Sequence, residues 1–192
     1  FDVFWLSGTG VFGQRFDADG QRLGGLRLTG TEVADTLSTG DATGATRVLA
    51  LGGNDSITGG KGNDTLEGGT GNDTMDGGSH VVTTPNGPEE SGAGLDSLVG
   101  GSGNDVFIYR GDNDVFRELD GQGTDTVWAF ANYSALAANL ENVVLMGTAE
   151  RATGNNKGNV LTGNELANRL DGGPTAPNDL DTMKRSEEHT SE

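Results

Sequence analysis

Residues 59–76 read GGKGNDTLEGGTGNDTMD, which is two tandem copies of a nine-residue unit. Both copies fit the pattern GGxGxDxUx, in which U is a large apolar residue. Residues 100–108, GGSGNDVFI, give a third full copy. Self-similarity at a fixed period is the signature of a repeat architecture. This stretch therefore predicts the fold before any single strand is assigned.

Weaker copies of the unit surround the full ones. Residues 50–58 (ALGGNDSIT) and 91–99 (SGAGLDSLV) keep the fourth glycine, the aspartate and the apolar residue. Farther out, Asp35, Asp114 and Asp125 keep only the aspartate and the apolar residue two positions later. We expect the repeat to weaken there, with Asp125 at its degenerate edge.

The chemistry of each unit predicts a turn followed by a strand. Glycine adopts the positive φ of tight turns at no steric cost, and asparagine tolerates it. The three residues after the aspartate form a short strand whose single apolar residue points inward. Two units then complete one coil with a turn on each side. We predict an all-β fold, a parallel β-roll (β-solenoid) of nonapeptide repeats with irregular β-rich flanks.

Stacking places acidic side chains close together. Coils in such a roll lie ~4.8 Å apart, so aspartates of successive coils stand above one another. Two bare carboxylates at that spacing repel by about 3 to 4 kcal/mol at an effective dielectric constant near 20. Ca–O bonds of about 2.3–2.6 Å let one Ca²⁺ bridge such a gap, with turn carbonyls as further ligands. The alternative is a solvated acidic turn that holds no ion.

The units resemble the RTX, or hemolysin-type, calcium-binding nonapeptide repeats of secreted bacterial proteins. The resemblance covers about residues 31–184 and implies calcium ions as partner and cofactor. Candidate calcium ligands are the aspartates at position six and the turn glycines with their carbonyls: Asp55, Asp64, Asp73, Asp96, Asp105, Asp114, Gly53, Gly60, Gly62, Gly69, Gly71, Gly101 and Gly103.

The register predicts which carboxylates share an ion. Asp55 and Asp73 form one pair. Residues 79–90, SHVVTTPNGPEE, break the period and predict a surface loop inserted into one turn. If the roll resumes behind this loop, Asp96 pairs with Asp64 and Asp105 pairs with Asp73. Asp114 then pairs with Asp96 more weakly.

The flanks differ from the central repeats. Residues 1–30 resemble the end of an upstream β-rich repeat, with a hairpin over 11–25, and the roll itself is expected over 31–118. Residues 119–184 are interpreted as a β spacer followed by RTX-like repeats with Asn159 and Asn168 at the aspartate position, held by hydrogen bonds with weak or no calcium sites. Residues 185–192, RSEEHTSE, resemble a translated sequencing adapter and are expected to be an artefact.

Composition limits the classes of function. A net charge of −17 disfavours nucleic acids and anionic membranes as partners and attracts cations. The chain lacks cysteine, so it has neither disulfides nor a cysteine zinc site, and it has no apolar run long enough to span a membrane. Metalloprotease and serine hydrolase motifs are absent. We therefore expect no enzyme activity and no catalytic residue.

The resemblance also implies a biological setting. RTX proteins leave Gram-negative cells by type I secretion and fold on calcium binding outside, so we expect a secreted, extracellular or cell-surface location. The spacer and the second repeat block favour a surface or adhesin-type parent with an unknown ligand. The alternative is the C-terminal export and folding tail of a secreted enzyme such as a protease or lipase.

Overall fold

The structure is a computed structural model that describes residues 2–7, 10–16, 19, 22–40, 42, 44–78, 82–84, 87–89, 94–111, 113–174 and 180–185. Within this part of the chain all regular structure is β, and no helix has the length and apolar character needed to cross a bilayer. The strands are β1 (Asp2–Ser7), β2 (Gly10–Phe16), β3 (Arg22–Thr29), β4 (Thr36–Ser38), β5 (Arg47–Gly52), β6 (Ser56–Thr58), β7 (Thr65–Thr70), β8 (Thr74–Asp76), β9 (Val82–Thr84), β10 (Gly87–Glu89), β11 (Ser97–Ser102), β12 (Val106–Tyr109), β13 (Val115–Arg117), β14 (Thr126–Ala129), β15 (Asn142–Leu145), β16 (Arg151–Thr153), β17 (Val160–Thr162), β18 (Arg169–Asp171) and β19 (Thr182–Lys184).

Two long sheets form the two walls of a roll. The first has the order β1-β2-β3-β5-β7-β11-β13, and the second has the order β19-β17-β15-β14-β12-β8-β6-β4. From β3 to β14, apart from the hairpin of β9 and β10, the chain alternates between the two walls, and every pairing between successive coils in this stretch is parallel. The predicted parallel β-roll is confirmed.

The apolar residue of each repeat lines the thin core between the walls. Each lies two positions after its aspartate, and each is at most 5 % exposed: Leu37, Ile57, Leu66, Met75, Leu98, Phe107, Phe116 and Val127. Burying one such side chain contributes about 1.5–3 kcal/mol. Because each coil supplies few of them, the core alone offers limited stabilisation against chain entropy.

The roll resumes in register behind the inserted loop. Thr65 pairs with Ser97 and Leu66 with Leu98, as the repeat alignment predicts. Within the insertion, β9 and β10 form a small antiparallel hairpin that the sequence did not predict. The insertion therefore adds length to one turn without displacing the coils on either side.

The N-terminal segment is antiparallel but continuous with the roll. β2 pairs antiparallel with β3, which confirms the expected hairpin, although residues 17–18 and 20–21 of its turn lie outside the described residues. β3 also pairs in parallel with β5, with Leu28 opposite Val48. The first wall thus changes from antiparallel to parallel pairing at β3.

Beyond residue 119 the strands continue the second wall. β14 and β15 contain the buried Val127 and Val143 and pair in parallel with each other. β14 also pairs in parallel with β12, and β15 with β17. On the opposite side, β16 and β18 form a separate parallel pair. Residues 186–192, most of the adapter-like segment, lie outside the described part of the chain.

Candidate metal sites in the turns

The turns that lead from the first wall to the second carry a ladder of buried carboxylates. The backbone N–H of each aspartate donates to the first carboxylate oxygen of the aspartate one coil further on. The donor–acceptor pairs are Asp35 N to Asp55 Oδ1 (2.8 Å), Asp55 N to Asp73 Oδ1 (2.9 Å), Asp73 N to Asp105 Oδ1 (2.7 Å) and Asp105 N to Asp125 Oδ1 (2.8 Å). Asp55 therefore stacks on Asp73, and Asp73 on Asp105, in the predicted register. That each pair shares an ion stays a prediction.

A second ladder occupies the turns on the opposite side of the roll. Asp64 N donates to Asp96 Oδ1 at 2.7 Å, and Asp96 N donates to Asp114 Oδ1 at 2.9 Å. Thr46 begins this ladder, because its backbone N–H donates to Asp64 Oδ1 at 2.6 Å. The structure thus brings together all three predicted partners on this side, Asp114 included.

The first ladder extends further than the sequence indicated. Asp125 was expected at the degenerate edge of the roll, but only 1 % of it is exposed and it accepts a bond from Asp105 like any central member. Glu141 then takes the next rung, accepting from Asp125 N at 2.8 Å. Changes in turn length obscure this spacing in the sequence. The separation is 18 residues between Asp55 and Asp73, but 20 between Asp105 and Asp125 and 16 between Asp125 and Glu141.

The second carboxylate oxygen of three ladder members has no partner. Asp55 Oδ2, Asp73 Oδ2 and Asp105 Oδ2 are buried and accept no hydrogen bond. Burial raises the pKa of Asp73 to about 6 and that of Asp105 to about 7, and in each case the neighbouring ladder charges add to the effect. An unpaired buried carboxylate is costly unless a proton or a cation neutralises it.

Glycine conformation distinguishes the turns of the first ladder from the Asp64 turn of the second ladder. Gly53, Gly69, Gly71, Gly101 and Gly103, in the turns of Asp55, Asp73 and Asp105, all have φ between 106° and 138°. Gly60 and Gly62, also expected to use positive φ, do not adopt it.

The Asp64 turn closes on itself instead. Gly60 N donates to Asp64 Oδ2 at 2.6 Å, so both oxygens of this carboxylate are bonded. Glycine is still required at position 62, because a Cβ there would lie 2.5 Å from the Gly44 carbonyl carbon.

Backbone carbonyls crowd the gap between stacked turns. A methyl group added to Gly71 would overlap the carbonyl oxygen of Gly53, and one added to Gly103 would overlap that of Gly71. Among the described residues, no group of three or more histidine, cysteine, aspartate or glutamate side chains is placed to hold a metal ion. A donor set made entirely of carboxylate and carbonyl oxygens suits a hard cation such as Ca²⁺.

Comparison with known protein families agrees with this donor chemistry. The RTX calcium-binding nonapeptide repeat matches residues 49–79 and 90–116, in four copies. Residues 49–79 and 90–116 are therefore repeats of the RTX calcium-binding family. Searches among curated proteins and among solved structures gave no significant match. RTX repeats bind Ca²⁺, and the roll is a calcium-binding structural module.

Asparagine at position five of the RTX unit forms a separate ladder outside the carboxylates. Asn54 Oδ1 accepts from Asn72 N at 2.8 Å, and Asn72 Oδ1 accepts from Asn104 N at the same distance. Asn104 Oδ1 accepts from Thr124 N in turn. This side-chain role accounts for the recurrent G-N-D triplet and was not inferred from the sequence.

In the coils that lack the RTX aspartate, amide groups bond the turn carbonyls. Asn159 Nδ2 donates to the carbonyls of Leu140 and Glu141, both at 3.3 Å, while its Oδ1 accepts from Asn155 N. Asn168 Nδ2 donates to Ala149 O at 3.4 Å. The predicted hydrogen-bonded role of these asparagines is therefore observed.

Glu118 is a buried acid outside the nonapeptide pattern, and the sequence did not predict its burial. It is 7 % exposed, and burial, with the charges of Asp125 and Asp105, raises its pKa to about 7. Its carboxylate accepts from Gly101 N, at 3.2 Å to Oε1 and 3.4 Å to Oε2. Arg117 pairs with Val99, so Glu118 follows at the level of Gly100, and only the strand register reveals this position.

Proposed function

We propose that the two carboxylate ladders bind Ca²⁺ between successive coils and that the bound ions hold the roll together. The ligands are the six aspartates 55, 64, 73, 96, 105 and 114, with carbonyl oxygens from the glycine turns at 53, 60, 62, 69, 71, 101 and 103. The observation that carries the proposal is the buried, unpartnered Oδ2 on Asp55, Asp73 and Asp105. Ca²⁺ supplies the positive charge that these oxygens lack.

Calcium occupancy would then decide whether the roll folds. Without the ion, burial of stacked carboxylates opposes folding, and the thin core offsets only part of the chain entropy. Because the sites exist only when coils are stacked, calcium binds the folded state and its binding energy becomes folding energy. The chain is thus disordered at low calcium and folds at millimolar calcium.

This switch suits a protein that is exported unfolded and folds outside the cell. We propose type I secretion by a Gram-negative bacterium and a surface or adhesin-type parent in which the roll serves as a structural module without catalytic residues. In this proposal residues 31–118 form the main calcium-binding roll, which the first ladder extends to Asp125. The rest of 119–184 forms the spacer and asparagine coils, and 1–30 is the end of an upstream β-rich repeat. The full-length gene tests the parent: a catalytic domain upstream would instead identify the roll as an enzyme's export tail.

Circular dichroism of the chain tests calcium-dependent folding. In chelator the far-ultraviolet spectrum should be that of a coil, and millimolar Ca²⁺ should produce a β spectrum. Mg²⁺ should substitute poorly, because its bonds of about 2.0–2.1 Å and octahedral geometry do not fit the gap between coils. An ordered β spectrum in chelator that calcium leaves unchanged would contradict the proposal.

A further inference from the structure

At Gly30, Gly59 and Gly68, position one of the repeat faces the same pair of oxygens. At Gly59 and Gly68, a side chain would overlap two atoms: the Oδ2 of the aspartate in the same turn and the carbonyl oxygen of the first residue in the next coil. For Gly68 these are Asp73 Oδ2 and Gly100 O. The gap beside the aspartate is therefore normally closed by a neutral carbonyl.

The turn at Gly100 departs from this arrangement. There the two atoms are Asp105 Oδ2 and Glu118 Oε1, so a carboxylate takes the place of the carbonyl. Two carboxylates also converge at Gly77, where both partners, Asp96 and Asp114, are already proposed ligands. The Gly100 turn thus resembles the Gly77 turn, because two carboxylates converge in each, and at Gly100 one of the two belongs to a residue outside the repeat.

Nothing else on the described part of the chain neutralises this pair of acids. Asp105 is 1 % exposed and its Oδ2 has no hydrogen-bond partner. Glu118 is itself buried and forms no ion pair with any described lysine or arginine. The backbone N–H of Gly101 donates to the Glu118 carboxylate and is therefore not bonded to Asp105 Oδ2. In the Asp64 turn the equivalent donor, the N–H of Gly60, bonds the aspartate itself.

We propose that Glu118 is a side-chain ligand to the Ca²⁺ bound beside Asp105. This inference rests on the proposed calcium function and assigns a residue outside the nonapeptide pattern to one site. Because calcium affinity rises with the number of charged ligands, a carboxylate in place of a carbonyl makes this site tighter than its neighbours. The gap between the coils of Asp105 and Asp125 is then the first to fill as calcium rises.

Calcium titration of the full chain in competition with a chromophoric chelator tests the assignment. Glu118→Gln keeps the size of the side chain and an oxygen for the Gly101 bond while removing the charge. We expect it to weaken the tightest binding step by about tenfold and leave the weaker steps unchanged. Glu150→Gln, at an exposed acid, makes the same change in net charge and should bind like the unaltered chain.

Three outcomes are decisive. If Glu118→Gln and Glu150→Gln bind calcium alike, Glu118 is a protonated structural acid and the inference is wrong. Glu118→Asp, which keeps the charge on a shorter side chain, should recover part of the affinity that glutamine loses; a residue that only packs would show no such recovery. If the unaltered chain binds no calcium, this inference and the proposed function are both wrong. If the unaltered chain binds calcium and Glu118→Gln does not weaken that binding, only the assignment of Glu118 is wrong.

Discussion

Replacing Asp105 by asparagine should have opposite effects on folding with and without calcium. The carboxylate is buried, and its pKa of about 7 lies above the 3.8 of an unperturbed aspartate. That difference corresponds to about 4 kcal/mol of cost to the calcium-free folded state at a pH well above 7. Asparagine removes the charge and can bond turn carbonyls as Asn159 does in this same chain. Since the amide must itself be desolvated, we expect a gain of about 1 to 3 kcal/mol without calcium.

The sign of the pH effect follows from the same pKa. The folded, calcium-free chain binds a proton at Asp105 more tightly than the unfolded chain does. The cost of the charge is therefore fully present above about pH 7, decreases as pH falls through 7, and is absent below 3.8. The benefit of Asp105→Asn should accordingly be large at pH 8 and small at pH 5. Asp73, with a pKa of about 6, keeps part of the pH dependence in both proteins.

The assay is osmolyte-induced folding in chelator beside calcium-induced folding, both followed by circular dichroism. Trimethylamine N-oxide favours burial and can fold a chain that is unstable without its ion. At pH 8, Asp105→Asn should need less osmolyte than the parent in chelator, yet more calcium when calcium is the only inducer. Asp171→Asn, at an exposed aspartate, serves as the control for the lost charge. If Asp105→Asn needs more of both inducers than the parent at pH 8, the buried charge of Asp105 is not what opposes folding without calcium.

Three further changes test the extent of the first ladder, the role of the insertion and the hydrogen bonds of the asparagine coils. Asp125→Ala should raise the calcium midpoint of folding as much as Asp73→Ala does, because both residues are buried ladder members and each loss costs about 1.5–3 kcal/mol of folding free energy. An unchanged midpoint would place Asp125 outside the calcium-binding coils. Deleting residues 79–90 should leave the calcium midpoint unchanged, because the coils on either side already pair in register, and loss of folding would make the insertion part of the roll. Asn159→Asp should lower the urea midpoint in calcium-free osmolyte by the equivalent of about 1–3 kcal/mol, because two amide donors are lost and a buried charge is gained; equal stability would show that those bonds contribute little.

The repeat chemistry made the roll predictable from the sequence. A glycine turn, an aspartate and one apolar residue recur often enough that turn, strand and core positions all follow from the pattern. The pairing of Asp64 with Asp96 could be predicted across the insertion for the same reason: a shifted register would move the buried leucines Leu66 and Leu98 out of line.

Residues outside the pattern could not be assigned in the same way. Glu141 and Glu118 belong to turns whose lengths differ from nine residues, so their positions depend on strand pairing that the sequence does not display. The conformation of Gly60 was also unpredictable, because the same G-G-x-G-x-D string folds one way when its aspartate is bonded within the turn and another when it is not. Local sequence determines that a turn forms, and contacts with the neighbouring coils determine which turn it is.

A crystal structure of the calcium-loaded chain, with diffraction data collected at a wavelength where calcium scatters anomalously, would locate the bound ions. If Ca²⁺ binds between the coils, we expect anomalous peaks in the turns of Asp55, Asp73 and Asp105. Each peak should lie within about 2.3–2.6 Å of the carboxylate Oδ2 that has no hydrogen-bond partner in the protein. Peaks confined to the exposed surface, with these buried oxygens bonded to water or to peptide N–H groups, would contradict calcium binding between the coils.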